Sequence, residues 1–259
     1  MKRYWRLITA ENREEIFSVL AKYSLKPCAW WQLETNILVI DVCAASEDIE
    51  NLLHHLAGKD ILVTPIPWPG FVCHLNAKKL AVSWLGEPSF QNIVIEPKGV
   101  FGSGLHPTTS LVISLLEKIA QEMPKPRLIL DFGTGSGILA IIAARLWPKA
   151  QILAVDIDFE AAKECRANVW RNNLSKQIHV VCGTSAALSG KFDLILANVY
   201  LRVLTQESAN LKSLLNREGL FVFSGFLLGS EKFLLNSYPG YQPLFSKAKD
   251  GWEALVLKR

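Results

Sequence analysis

LILDFGTGSGILAIIAARLWPKAQILAVD, residues 128–156, is the stretch whose reading decides the fold. A short apolar run at 128–130 leads into Asp131, and three glycines follow at alternate positions, Gly133, Gly135 and Gly137. Apolar residues at helical spacing then run from Ile138 to about Trp147. A second apolar run, 152–155, ends in a lone carboxylate, Asp156. Strand, glycine turn, helix, strand and acid, in that order, make the front half of a nucleotide-binding α/β sheet. Glycine has no Cβ, so the chain can turn tightly and its backbone can approach a ligand. The helix after the turn aims its first amides at the pocket. An acid that closes the second strand is placed to accept hydrogen bonds from ribose hydroxyls.

The glycine spacing separates cofactors. A dinucleotide fingerprint read from Gly133 needs its third glycine at position 138, which is isoleucine here. An aspartate followed by G-x-G-x-G instead resembles the glycine loop of S-adenosylmethionine-dependent methyltransferases. Their cofactor carries a ribose, an adenine and an amino-acid tail, with no pyrophosphate to cradle.

Working outward, the chain has 259 residues, half of them hydrophobic, enough for two domains or one large core. A net charge of +4 is mild and lacks the clustered basic footprint of a dedicated nucleic-acid binder, so no direct nucleic-acid partner is expected. The five cysteines, at 28, 43, 73, 165 and 182, contain no C-x-x-C pair. That pattern points to reduced thiols in a cytoplasmic protein, with neither a disulfide frame nor a zinc site, and no metal is expected. The first fifteen residues lack the apolar core of a signal peptide, and no apolar run of about 18 residues occurs, so no membrane span is expected.

Residues 1–68 alternate strand-like and helix-like patterns. Strands are expected at 4–9, 28–33, 36–42 and 61–66, and helices at 12–23 and 46–56, the second capped by Ser46. The order β-α-β-β-α-β is that of a ferredoxin-like unit. It serves either to present a substrate or as a small stabilising subdomain. Pro65, Pro67, Pro69 and Gly70 punctuate the chain next. The expected division is therefore an N-terminal α+β domain over 1–68, a linker over 69–95 and a catalytic domain over 96–259. Gly99, Gly102 and Gly104 then give a mobile backbone around Phe101, a candidate lid. Pro107 starts a helix at the position where its missing N–H matters least, with His106 read as a structural cap.

Taken together, FGSGLHPTTSL (101–111), ILDFGTGSGILAIIAARL (129–146), Asp156-Ile-Asp158 and Leu196-Ala-Asn198 resemble the ribosomal protein L11 methyltransferase family. The resemblance covers roughly residues 94–257. It implies S-adenosyl-L-methionine as donor and a protein acceptor, chiefly lysine ε-amines, with ribosomal protein L11 the first candidate partner. The family's cofactor-contacting positions carry over to Thr109, Gly133, Asp156 and Asn198. The chain departs from the family in carrying Glu96-Pro97-Lys98-Gly99 before the lid, and in a shorter N-terminal part.

Beyond Asp156 the pattern continues with a helix over 159–173, a strand over 178–182 and a strand over 192–197 ending at Asn198. Many methyltransferases place an acid after the third strand to read the adenine amine. Here the run is Cys-Gly-Thr-Ser-Ala, 182–186, and the reader of the adenine is left open. Asn198 lacks the two prolines common in enzymes that methylate nucleobase amines. A helix over 201–215, a strand over 220–224 and a closing hairpin around Lys249-Asp250-Gly251 complete a seven-stranded Rossmann-like sheet with an inserted antiparallel last strand. Asp156 is expected to hold the ribose, and Gly133 and Gly135 to line the amino-acid tail. Asn198 should orient the acceptor amine, with Thr109 and Phe101 closing the site, and Tyr200 is read as packing. Three rivals stand beside this reading. A nucleobase or small-molecule methyltransferase is disfavoured by the missing prolines. A non-catalytic relative is opposed by the intact glycine loop. A nicotinamide-dependent dehydrogenase is disfavoured by the glycine spacing.

Overall fold

In this computed structural model, the structure describes residues 3–25, 27–32, 36–66, 71–75, 78–83, 92–95 and 106–259. The N-terminal part runs β1 (Arg3–Thr9), α1 (Arg13–Lys22), β2 (Pro27–Gln32), β3 (Leu38–Ala44), α2 (Ser46–His55) and β4 (Ile61–Ile66). Its four strands form one antiparallel sheet in the order β2-β3-β1-β4, the ferredoxin-like order anticipated above. Leu7, Ile16, Leu20, Ile40 and Leu52 close its core. Asn12 caps α1, its Oδ1 accepting from the Glu14 amide at 2.8 Å. The cap of α2 differs from the expectation at Ser46. That serine is already helical, the cap position is Ala45, and the Asp48 carboxylate reaches back to the Ala45 amide at 3.2 Å. Next come β5 (Phe71–Leu75), β6 (Lys78–Ser83) and β7 (Asn92–Val94), a three-stranded sheet within the stretch read as linker.

The remainder is one seven-stranded sheet with helices on both faces. Its elements are α3 (Pro107–Glu122), β8 (Leu128–Phe132), α4 (Ile138–Leu146), β9 (Gln151–Asp156), α5 (Phe159–Arg171), β10 (Ile178–Cys182), β11 (Phe192–Asn198), α6 (Leu201–Gln206), α7 (Ser208–Leu214), β12 (Leu215–Leu227), α8 (Glu231–Ser237), β13 (Gln242–Lys249) and β14 (Trp252–Lys258). The order is β10-β9-β8-β11-β12-β14-β13, parallel except where β14 inserts antiparallel between β12 and β13. Side chains alternate across the sheet with the period of two that a pleated strand imposes. Leu220, Val222, Ala254 and Val256 enter the core shared with α3 and α4, whereas Phe221, Phe223, Leu255 and Leu257 enter the core on the other face. Both faces of the central strands are thus covered, which is why these strands read as continuous apolar runs. The expected helix over 201–215 is two helices that break at Glu207, and β12 begins five residues before the expected 220.

A buried asparagine ties β7 to this sheet's helical layer. Asn172, 1% exposed at the end of α5, accepts from the Val94 amide at 3.0 Å and donates to the Val94 carbonyl at 2.7 Å. The same carboxamide donates to the Asn168 carbonyl at 2.8 Å, and Asn168 in turn donates to the Ser136 carbonyl at 2.9 Å, inside the glycine loop. Asn172→Ala strands the Val94 amide and carbonyl in the interior. It is expected to cost about 2–4 kcal/mol, read as a lower urea midpoint for the seven-stranded unit. An unchanged midpoint would mean that water satisfies Val94.

Among the described residues, no helix is long and apolar enough to cross a membrane.

Candidate functional site

The parallel strands β9 and β11 flank β8, so the chain order reverses there and opens a crevice at the carboxyl ends of the strands. The glycine loop fills the turn after β8. Gly133 and Thr134 both donate to the Val155 carbonyl, at 2.8 and 3.0 Å, pinning the loop against β9. Gly133 adopts φ +73, and a Cβ there would lie 2.3 Å from Val199 Cγ1. Gly137 adopts φ +85 at the start of α4, where a Cβ would lie 2.7 Å from the Cys165 sulfur on α5. Only glycine meets both demands, a left-handed backbone and no side chain.

Asp131 anchors the loop from beneath. Its Oδ2 accepts from the Thr134 hydroxyl at 2.6 Å and the Ala140 amide at 3.1 Å, while its Oδ1 is buried without a partner. Burial pushes this carboxyl from 3.8 up to about 6, against the pull of those two hydrogen bonds. Burial also pushes the neighbouring Cys165 thiol up to about 12, which leaves it protonated and inert as a nucleophile. A carboxyl raised in the folded state stabilises fully below its unfolded pKa and loses that stability as pH rises through the folded value. From about pH 4 to above pH 6 the loss amounts to roughly 3 kcal/mol at ~1.36 kcal/mol per pKa unit. Asp131→Asn retains an acceptor for Thr134 and Ala140, so its melting temperature should gain on the wild type steadily across that window. Parallel profiles would contradict the assignment.

Four of the predicted residues, Gly133, Gly135, Asp156 and Asn198, converge on one cavity, and Thr109 does not line it. The Asp156 carboxylate accepts from the Gly135 amide at 2.9 Å through Oδ2 and from the Asp158 amide at 3.0 Å through Oδ1. Each oxygen keeps acceptor capacity, and both residues line a cavity of about 650 Å³. Gly133 and Asn198 line the same cavity. Asn198, at the end of β11, donates through Nδ2 to the Thr109 hydroxyl at 3.4 Å. Its Oδ1 is buried without a partner. Thr109 is 0% exposed and supports Asn198 from behind, while Thr108 is the threonine that borders the cavity. Phe101 lies outside the described residues.

His106 caps α3 as expected, its Nδ1 accepting from the Thr108 amide at 3.3 Å, and burial pushes its pKa down to about 4. The sequence carries no signal for Trp252 or Glu207 at the cavity, and Tyr200 sits there differently from expectation. Trp252 meets His106 edge-on at 4.9 Å between ring centres, and its indole N–H is buried without a partner. Tyr200 is 67% exposed at the cavity, so it does not pack into the core as expected. No local pattern marks Trp252, because its partner His106 is distant in the chain. The cavity is thus lined by a carboxylate and by two residues, Asn198 and Trp252, that each keep a buried polar atom without a partner at its wall. Such a set fits a ligand with a diol and a zwitterionic amino-acid tail, as S-adenosylmethionine has.

Known proteins resemble the chain over the same region. Residues 80–259 match the family model described as Ribosomal protein L11 methyltransferase (PrmA). A ribosomal protein L11 methyltransferase of Pelobacter propionicus is 32% identical over 243 residues, covering 85% of this chain and 78% of that protein. One of Geobacter sulfurreducens is 33% identical over 187 residues, covering 71% of this chain and 60% of its own length. The match thus spans less than two thirds of the Geobacter protein. The crystal structure of a ribosomal protein L11 methylase from Lactobacillus delbrueckii subsp. bulgaricus superposes with a TM-score of 0.59 at 32% identity, over 70% of this chain and 93% of that one.

Proposed function

The chain belongs to the ribosomal protein L11 methyltransferase family, and from that premise we propose that it transfers methyl groups from S-adenosyl-L-methionine to lysine amines of ribosomal protein L11 in the cytoplasm. The observation that carries the reading is one cavity lined both by Asp156, whose carboxylate is locked against the glycine loop, and by Asn198.

Bound in the crevice, the cofactor supplies an activated sulfonium methyl and a neutral thioether leaving group. The residues of the chain do the rest. Asp156 accepts from the ribose hydroxyls. Gly133 and Gly135 let the backbone close on the amino-acid tail. Asn198 accepts a hydrogen bond from the incoming amine and aims its lone pair along the line of displacement, and Thr109 fixes which way the carboxamide faces. The amine must arrive neutral, since a lysine of pKa ~10.4 has no lone pair when protonated. An apolar channel favours that form by disfavouring the charge. The methylated amine would carry the positive charge and would then lose a proton to water. His106 is a poor candidate for taking it, with Nδ1 occupied by Thr108 and its pKa pushed down to about 4. The N-terminal four-stranded unit is assigned the task of presenting the substrate protein.

Incubating the full chain with purified L11 and methyl-labelled cofactor tests this. Label on L11 lysine peptides is the expected result. Label confined to RNA in a whole extract would overturn it in favour of a nucleobase acceptor.

A further inference from the structure

The third strand of the sheet, β10, ends without the carboxylate that reads adenine in many such sheets, yet the cavity contains a replacement. Along the sheet order, Asn198 sits on β11, the glycine loop on β8, Asp156 on β9 and the turn at 183–185 on β10. A cofactor whose ribose lies on Asp156 and whose tail lies on the glycine loop must place its base toward the β10 end. The Gly183 amide donates to the Asp156 carbonyl at 2.8 Å, so that turn is tied directly behind the ribose acid.

At that end Glu207, at the break between α6 and α7, borders the cavity together with Thr184 and Ser185. The Ser185 hydroxyl, 2% exposed, donates to Glu207 Oε2. Asn210 Nδ2 donates to the same Oε2 at 3.3 Å and to the Ser185 oxygen at 3.0 Å. Both bonds to the carboxylate go to Oε2 and spare Oε1. The carboxylate is therefore held in one orientation by donors on one side, which is how an acceptor is preorganised. The other carboxylates bordering the cavity have tasks already. Asp156 is assigned the ribose, and Asp158 caps α5 by accepting from the Glu160 amide at 2.9 Å.

We propose that Glu207, clamped by Ser185 and Asn210, accepts the hydrogen bond of the adenine exocyclic amine and gives the site its base specificity. This rests on the cofactor reading above. A charge-assisted bond of this kind contributes roughly ten- to hundredfold in affinity, and a site built around it rejects an analogue lacking the donor.

The test is a double-mutant cycle on ligand and protein. The ligands are S-adenosylhomocysteine and its analogue in which hydrogen replaces the exocyclic amine. The ring nitrogens stay the same, so the cycle isolates the amine. Wild type is expected to prefer the amine-bearing ligand about ten- to hundredfold. Glu207→Gln keeps an acceptor for Ser185 and Asn210 but turns an NH₂ toward the base, and should bring the two ligands to within about threefold. Ser185→Ala, which loosens the clamp, should erase part of the preference. A merely structural Glu207 would weaken both ligands equally and preserve the preference, and that result overturns the proposal. Failure of wild type to bind either ligand would instead overturn the cofactor reading itself, so the two failures are distinguishable.

Discussion

Asp156→Ala is expected to weaken S-adenosylmethionine binding by at least about a hundredfold while the protein stays folded. Two contributions add. The carboxylate is the group assigned to the ribose diol, and hydrogen bonds to a charged acceptor contribute about 1.5–3 kcal/mol each. The same oxygens accept from the Gly135 and Asp158 amides, so removing them also releases the loop that shapes the tail-binding end. Neither amide belongs to the core clusters, which is why the fold should survive. Calorimetric titration beside a thermal melt separates the effects. Unchanged affinity would remove Asp156 from the site.

Gly133→Ala is expected to be nearly as damaging by a different route. The residue must hold φ +73 while its new methyl carbon sits 2.3 Å from Val199 Cγ1. The left-handed backbone costs about 1–2 kcal/mol for a residue with a Cβ. With the displacement of Val199 added, the total loss should reach about 2–4 kcal/mol. Val199 follows Asn198 directly, so the clash is expected to move the acceptor-orienting carboxamide as well and to depress methyl transfer more than the melt implies. Val199→Ala in the same chain relieves the contact but not the torsion, so it should restore part of the stability. A Gly133→Ala protein as stable and as tightly binding as wild type would contradict the geometry.

These effects trace to residues whose roles were legible in the sequence, because the constraints on them are local. A left-handed turn needs glycine within a few positions of the strand it ends, and an acid closing the next strand needs no partner to be noticed. The terminal hairpin was legible for the same reason. Asp250 and Gly251 adopt φ 49 and 75, the two left-handed positions of a tight turn that Asp-Gly favours. The alternation in β12 and β14 likewise follows from the pleat alone.

The rest depended on contacts distant in the chain. Leu204 and Leu211 lie seven apart and are both fully buried, a spacing that a continuous helix would satisfy, so the break at Glu207 carried no signature. The cluster that joins Glu207 to Ser185 spans 22 positions, and the pair formed by Asn172 and Val94 spans 78. The helix begins at Ser46 as expected, but its cap position is Ala45, whose amide is met by Asp48, and serine's usual preference for the cap did not reveal that. An aromatic beside a strand end packs in most settings, whereas Tyr200 is exposed at the cavity.

A crystal structure of the protein with S-adenosylhomocysteine tests the central claim most directly. The expected result is the ribose diol within hydrogen-bond distance of the Asp156 carboxylate, the sulfur facing the Asn198 amide oxygen and the base toward the β10 end. A ligand seated elsewhere at saturation, or a ribose turned away from Asp156, would contradict the account.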